Sequence, residues 1–175
     1  MFAYCNNNPV AYIDPSGCRP VWEHRYSNGL IAYTDTGSGR PIEDITQKLN
    51  HAMQENAAIL SDYNNTHSFL TTGLFFANKV RPGGLWDFKA QKEWGLAWSQ
   101  LYLYDGVLLR YDDVGNIHYG YVGRAAFSEK LLLKVAGGVQ ILTDTSSWDY
   151  WKSNFDDPHD QWAVSFGCAL WDGGN

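Results

Sequence analysis

"LYLYDGVLLRYDDVGNIHYGYVGR", residues 101–124, decides how this chain is read, because its first half and its second half carry different punctuation. "LYLYDGVLLRY" alternates around Asp105-Gly106, a dipeptide suited to a two-residue hairpin turn with positive φ at both central positions. "DDVGN" at 112–116 reads as a second turn, and "IHYGYV" after it is rich in β-branched and aromatic residues. The expectation is a two- or three-stranded antiparallel meander over about 99–122.

On either side of it the period changes. Ile42, Ile45, Leu49, Ala52 and Met53 recur at helical spacing, with Pro41 placed to open a helix and Glu43 and Asp44 at its favourable dipole end. That predicts an amphipathic helix over 41–61. Phe69, Leu70, Leu74, Ala77 and Val80, turned inward, predict a second over 68–80, stopped by "RPGG" at 81–84. Leu131, Leu132, Val135, Val139 and Leu142 return to helical spacing. A last helix starts at "DDPHDQ" and carries Trp162, Phe166, Ala169 and Leu170. The class is α+β: a mostly helical single domain with a small antiparallel meander.

The opening segment stands apart. All 13 Lys and Arg residues follow Cys18, and "FAYCNNNPVAYIDPSG" at 2–17 is a turn-rich stretch around one short apolar strand with no evident partner. From Arg19 the text is irregular and ends in the polar "TDTGSG", so the expected organisation is a tail (1–18), a linker (19–40) and a main domain (41–175).

Composition narrows the function classes. Eight Trp and eleven Tyr allow a packed core, and no apolar run reaches the roughly 18 residues of a membrane span. No signal-peptide pattern is visible, so export is expected to depend on a carrier polypeptide or secretion system. Three cysteines without a CxxC pair argue against a disulfide framework or a zinc knuckle. The net charge of -6 weakens a non-specific nucleic-acid binder. No P-loop, G-x-S-x-G, H-E-x-x-H or dinucleotide fingerprint is present, and no cofactor is expected.

Three stretches can carry chemistry. In "DVGNIHYGYVGR" (113–124), glycines at 115, 120 and 123 would let backbone approach a ligand. There His118 can serve as a general base, Asn116 and Tyr119 as neutral donors and Arg124 as an anion contact. The same residues also suit a plain turn and an edge strand. In "GGLWDFKAQKEW" (83–94), Lys89 can stabilise a phosphate and Asp87 take a proton, or the segment is a solvated short helix anchored by Trp86. In "FDDPHDQW" (155–162), three carboxylates and a His suggest a metal at first sight. Asp157 as N-cap, Pro158 at the first helical position and Asp160 in the first turn explain them better as a helix start, and no metal is expected. Asp160 or Asp156 could still serve a site.

The residues 2–17 resemble the end of the RHS/YD-repeat-associated core domain, whose pattern is close to Y-x-Y-x-x-N-N-P-x-x-x-x-D-P-x-G. That resemblance implies a β-rich shell, carried by the parent polypeptide, that encloses a C-terminal toxin and cuts itself after this motif. "GGLWDFK", "GNIHYGYVGRAA", "LLLKVAGGVQ" and "DDPHDQWAVSFG", in that order over roughly 80–170, resemble the bacterial toxin 44 family of polymorphic toxins. The resemblance implies an antibacterial effector, described for the family as a ribonuclease toxin, and a cognate immunity protein. It marks Trp86, Asp87, Lys89, Gly115, Asn116, Tyr119, Gly120, Gly123, Asp156, Asp157, Asp160 and Gln161. His118 stands where other members carry Asn or another residue, which moves weight to Asp87 and Lys89.

The leading expectation is a metal-independent ribonuclease: catalytic Asp87, Lys89 and His118, with Trp86, Asn116, Tyr119, Arg124 and Asp160 binding RNA. A second is a peptidoglycan hydrolase using Asp87 or Glu93 with Asp113 as acid and base. A third is a degenerate fragment without catalysis.

Overall fold

The computed structural model describes residues 12–13, 21–27, 31–36, 39–136 and 158–174. The class is α+β, and the chain divides into two compact units, one of residues 1–47 with 96–111 and one of 48–95 with 112–175.

The first unit holds the strands. β1 (Tyr12–Ile13) pairs antiparallel with β2 (Val21–Arg25), which pairs antiparallel with β3 (Ile31–Asp35). The strand that looked orphaned in sequence therefore has a partner, and the stretch expected to be an irregular linker supplies it. A second sheet joins β4 (Glu43–Asp44) in parallel to β5 (Leu101–Tyr104), which forms a hairpin with β6 (Val107–Arg110). The hairpin turns where expected: Asp105 has φ 46° and Gly106 φ 78°. Its anchor is Tyr102, fully buried, whose hydroxyl accepts the Ala97 amide at 2.8 Å. Burial pushes that phenol upward, the Ala97 hydrogen bond opposes the shift, and Glu43 adds to it.

The second unit is helical. α1 (Thr46–Thr66) starts five residues later than the sequence suggests. Pro41 instead bridges to Thr34, and Asp44 accepts the Thr46 amide at 2.9 Å, leaving Glu43 and Asp44 in a strand. α2 (Phe69–Val80) opens on Ser68, whose hydroxyl accepts the Thr71 amide, and it buries Thr72 and Phe76, while Phe69, Leu70 and Leu74, expected inward, are exposed. The loop after α2 folds back on it: Trp86 donates its amide to the Lys79 carbonyl, and Gly84 sits against the same carbonyl too closely for a side chain. A short 3-10 helix follows at Lys92–Trp94.

The main departure comes next. β6 runs straight into α3 (Tyr111–Arg124), so "IHYGYV" is helix, not the third strand of a meander. Asp113, Val114, Asn116, Ile117, His118, Tyr119, Gly120, Val122 and Gly123 are all buried. A helix enclosed on every side has no polar face and loses the amphipathic signature by which sequence reveals helices. α4 (Glu129–Ala136) and α5 (Pro158–Gly174) complete the unit. The helical pattern expected beyond 136, and Asp156 and Asp157, lie outside the described residues.

α3 and α5 cross with their backbones in contact. A Cβ on Gly120 would collide with the Val164 carbonyl, and one on Gly167 with the Ile117 carbonyl. These glycines make room for a neighbouring helix rather than for a ligand. Around the crossing, Leu60, Phe76, Trp86, Tyr119, Val122, Leu132, Val164 and Cys168 form the core.

Candidate active site

Because "DVGNIHYGYVGR" is helical, its polar side chains leave α3 in different directions. His118 is 0% exposed. Its ring lies 4.3 Å from Phe88 and 6.0 Å from Trp86 between centroids, and Nε2 is 2.9 Å from Asn56 Nδ2. Asn56 Nδ2 can only donate, so Nε2 is the acceptor and the hydrogen sits on Nδ1, which is buried without a partner among the described residues. Burial pushes its pKa down to about 3, so His118 is neutral across the physiological range. Enclosed in this way, it cannot reach a substrate hydroxyl as the exposed strand reading required.

Tyr119 leaves on another side. It stacks on Phe76 at 5.2 Å and donates its hydroxyl to the Leu132 carbonyl at 3.2 Å. Burial, with the Cys168 thiol second, pushes the phenol upward, so it stays a neutral donor inside the core. Arg124 is likewise engaged: Nη1 donates to the Phe127 carbonyl and Nη2 meets Asp172 of α5 at 2.6 Å. It ties helix ends together where an anion contact was expected.

The "GGLWDFK" loop resolves in a similar way. Trp86 is a core anchor set edge-on to Phe75, and Asp87 accepts the Gly83 amide at 2.9 Å, closing a turn in which Gly83 has φ 74°. Lys89 and Glu93 are exposed. Trp86 and His118 are brought together, as neighbours in packing.

A different set of polar groups converges where α3 meets the start of α5. Asp113 is 1% exposed, and its Oδ1 lies 2.8 Å from His159 Nε2, while the His159 side chain keeps 35% exposure. The contact is short, but its alignment falls outside that of a straight hydrogen bond. One turn along α3, Asn116 Nδ2 donates to Asp160 Oδ1 at 3.0 Å. Helical geometry explains the grouping: positions 113 and 116 share a face of α3, and 159 and 160 both belong to the first turn of α5. Trp162 lies beside the imidazole at 5.2 Å.

An ionised carboxyl there can only accept, so a hydrogen bond along this 2.8 Å contact would need the hydrogen on His159 Nε2 and would leave Nδ1 as the proton-accepting position. This is the arrangement of a general base oriented by a buried acid. The free thiol in the described residues, Cys168, does not compete as a nucleophile. It is buried, donates to the Gly120 carbonyl, and is pushed up to about 12, chiefly by burial. Among the described residues no three His, Cys, Asp or Glu side chains form a group that could hold a metal ion.

A family model for bacterial toxin 44 matches residues 75–173, more than half of the chain, including α3, α5 and the whole polar junction. The chain belongs to the bacterial toxin 44 family. No curated protein and no solved structure matches it. Among the described residues of this toxin 44 chain, no helix is long and apolar enough to cross a membrane.

Of the toxin residues that sequence alone singles out, Asn116 and Asp160 do meet, across 44 positions of the chain. His159 was legible only as part of a helix start, and Asp113 only as half of a carboxylate pair. The available signal was a His in the first turn of a helix, where its ring can turn back on a neighbour; nothing in the spacing names Asp113 as that neighbour.

Proposed function

We propose that this toxin domain is a ribonuclease in which His159, oriented by Asp113, removes the proton from a ribose 2′-hydroxyl. The observation that carries the reading is the part-exposed imidazole set 2.8 Å from a buried carboxyl, beside the Asn116–Asp160 pair. A lone proton acceptor suits a substrate that brings its own nucleophile, and RNA does so. In the reaction Nδ1 takes the 2′-hydroxyl proton, the 2′-oxygen bonds to the adjacent phosphorus, and the bond to the 5′-oxygen breaks. The departing oxygen takes up a proton from solvent, leaving a 2′,3′-cyclic phosphate and a 5′-hydroxyl. Asn116, with its amide donating to Asp160, supports the geometry of the site. The reading assigns no catalytic role to His118, Asp87 or Lys89.

Such an enzyme harms its own cell, so the reading includes a tightly bound immunity protein. It also includes delivery from an RHS shell, as the 2–17 motif suggests. Expression routed to the cytoplasm or to the periplasm, with an RNA gel alongside, tests it. Killing from the cytoplasm with RNA loss is expected. Killing only from the periplasm would replace the ribonuclease by an envelope hydrolase, and intact RNA in dying cells would end it.

A further inference from the structure

We infer that the aromatic ladder His159–Trp162–Phe166 on α5 is a stacking platform for an unpaired RNA base next to the scissile bond, an inference resting on the ribonuclease reading above. Three observations meet there. Positions 159, 162 and 166 follow one flank of the helix: Trp162 lies 5.2 Å from His159 at a tilt of 41°, and Trp162 and Phe166 are 5.5 Å apart and within 6° of parallel. The buried side of α5 is a different stripe, Ala163, Val164, Gly167 and Cys168, so Trp162 is not needed to close the core. Trp162 keeps 41% of its surface open, and the ladder starts at the imidazole that Asp113 orients.

The chemistry favours a base over other flat ligands. Every nucleobase has a π face, and single strands are commonly held by stacking on aromatic side chains with little sequence preference. A nucleobase and its 2′-hydroxyl are borne by adjacent carbons of one sugar. A base laid on Trp162 therefore leaves that hydroxyl beside His159, the ring next along the ladder. Stacking also needs few cations, which accommodates a chain with a net charge of -6. A duplex hides its base faces, so the platform selects unpaired RNA.

The test uses the full chain and a 2′-O-methyl single strand of about eight nucleotides, which carries bases but no reactive hydroxyl. Trp162→Leu is expected to weaken binding about tenfold and Trp162→Phe by no more than about threefold. An abasic strand of the same length should bind wild type and Trp162→Leu equally. With cleavable RNA, Trp162→Leu should raise KM more than it lowers kcat. Equal binding of the base-bearing strand by wild type and Trp162→Leu overturns the platform, as does no binding by wild type. Trp162-dependent binding of peptidoglycan fragments, with no Trp162-dependent binding of the strand, assigns the ladder to sugars and also overturns it. The binding arm involves no cleavage, so failure of His159 as the base would show separately, as full activity in His159→Gln.

Discussion

His118 and His159 both lie against α3, one from within it and one from the start of α5, and they meet opposite surroundings. His118 is walled in by Phe88 and Trp86, with one amide for company, and is held neutral. His159 keeps a third of its side chain in solvent and rests on a buried carboxylate. Identical side chains therefore divide into one packed among aromatic rings and one left part-exposed beside a buried carboxyl, and only the second is placed to serve the proposed chemistry. Sequence placed the more inviting signs, glycines and neighbouring donors, around the member of the pair that is walled in.

The same substitution at both sites should separate them most strongly. His159→Gln is expected to lower RNA cleavage by at least about 100-fold while changing stability by less than about 1 kcal/mol. His118→Gln should do the reverse, costing about 1–3 kcal/mol and leaving the activity of the folded fraction within a few-fold. Cleavage rates normalised to folded protein, with urea melts alongside, decide between them. Loss of catalysis from the interior substitution, with the surface one silent, would return the role of general base to His118.

A second comparison sets two glycines of one helix against each other. Gly120→Ala places a methyl group against the Val164 carbonyl and should destabilise by about 1–3 kcal/mol. Gly115 has open space at its Cβ position, so Gly115→Ala should stabilise by up to about 1 kcal/mol through helix propensity alone. Equal effects would mean that α3 and α5 do not meet at the backbone.

A third effect is in the pH profile. The unfolded chain protonates His118 near 6.5, whereas the native chain refuses the proton until about 3. This contribution to stability is complete above 6.5 and declines as pH falls toward 3, by roughly 1 kcal/mol per pH unit. Urea melts at pH 7 and pH 5 should show wild type losing more stability than His118→Gln. Parallel profiles would mean that the ring is solvated in the folded protein.

How much of this was legible depended on whether the residues had one-sided environments. α2, the Asp105-Gly106 hairpin and the Pro158 start of α5 were readable, because each carries a local device: a cap, a turn dipeptide, or a proline at the first helical position. α3 was not readable, because burial on all sides removed its period while Ile117, Tyr119, Tyr121 and Val122 carried β-prone chemistry. β2 and β3 were missed because Val21–Arg25 and Ile31–Asp35 are short and only Val21 and Asp35 are fully buried. In the site, Asn116 and Asp160 were visible singly. The link from Asp113 to His159 spans 46 positions and exists only once α3 and α5 cross.

That crossing gives the toxin an unusual genetics. Asp113 lies four residues from Ile117 along α3, and His159 five residues from Val164 along α5, so each member of the proposed pair rides about 6–8 Å from where the helices touch. A bulkier residue at the contact acts on the dyad as a wedge acts on the far ends of a pair of shears. On the proposed reading, inactivating mutations should therefore fall at Gly120 and Gly167 as readily as at His159, and an attenuated form should be obtainable without altering the proposed base.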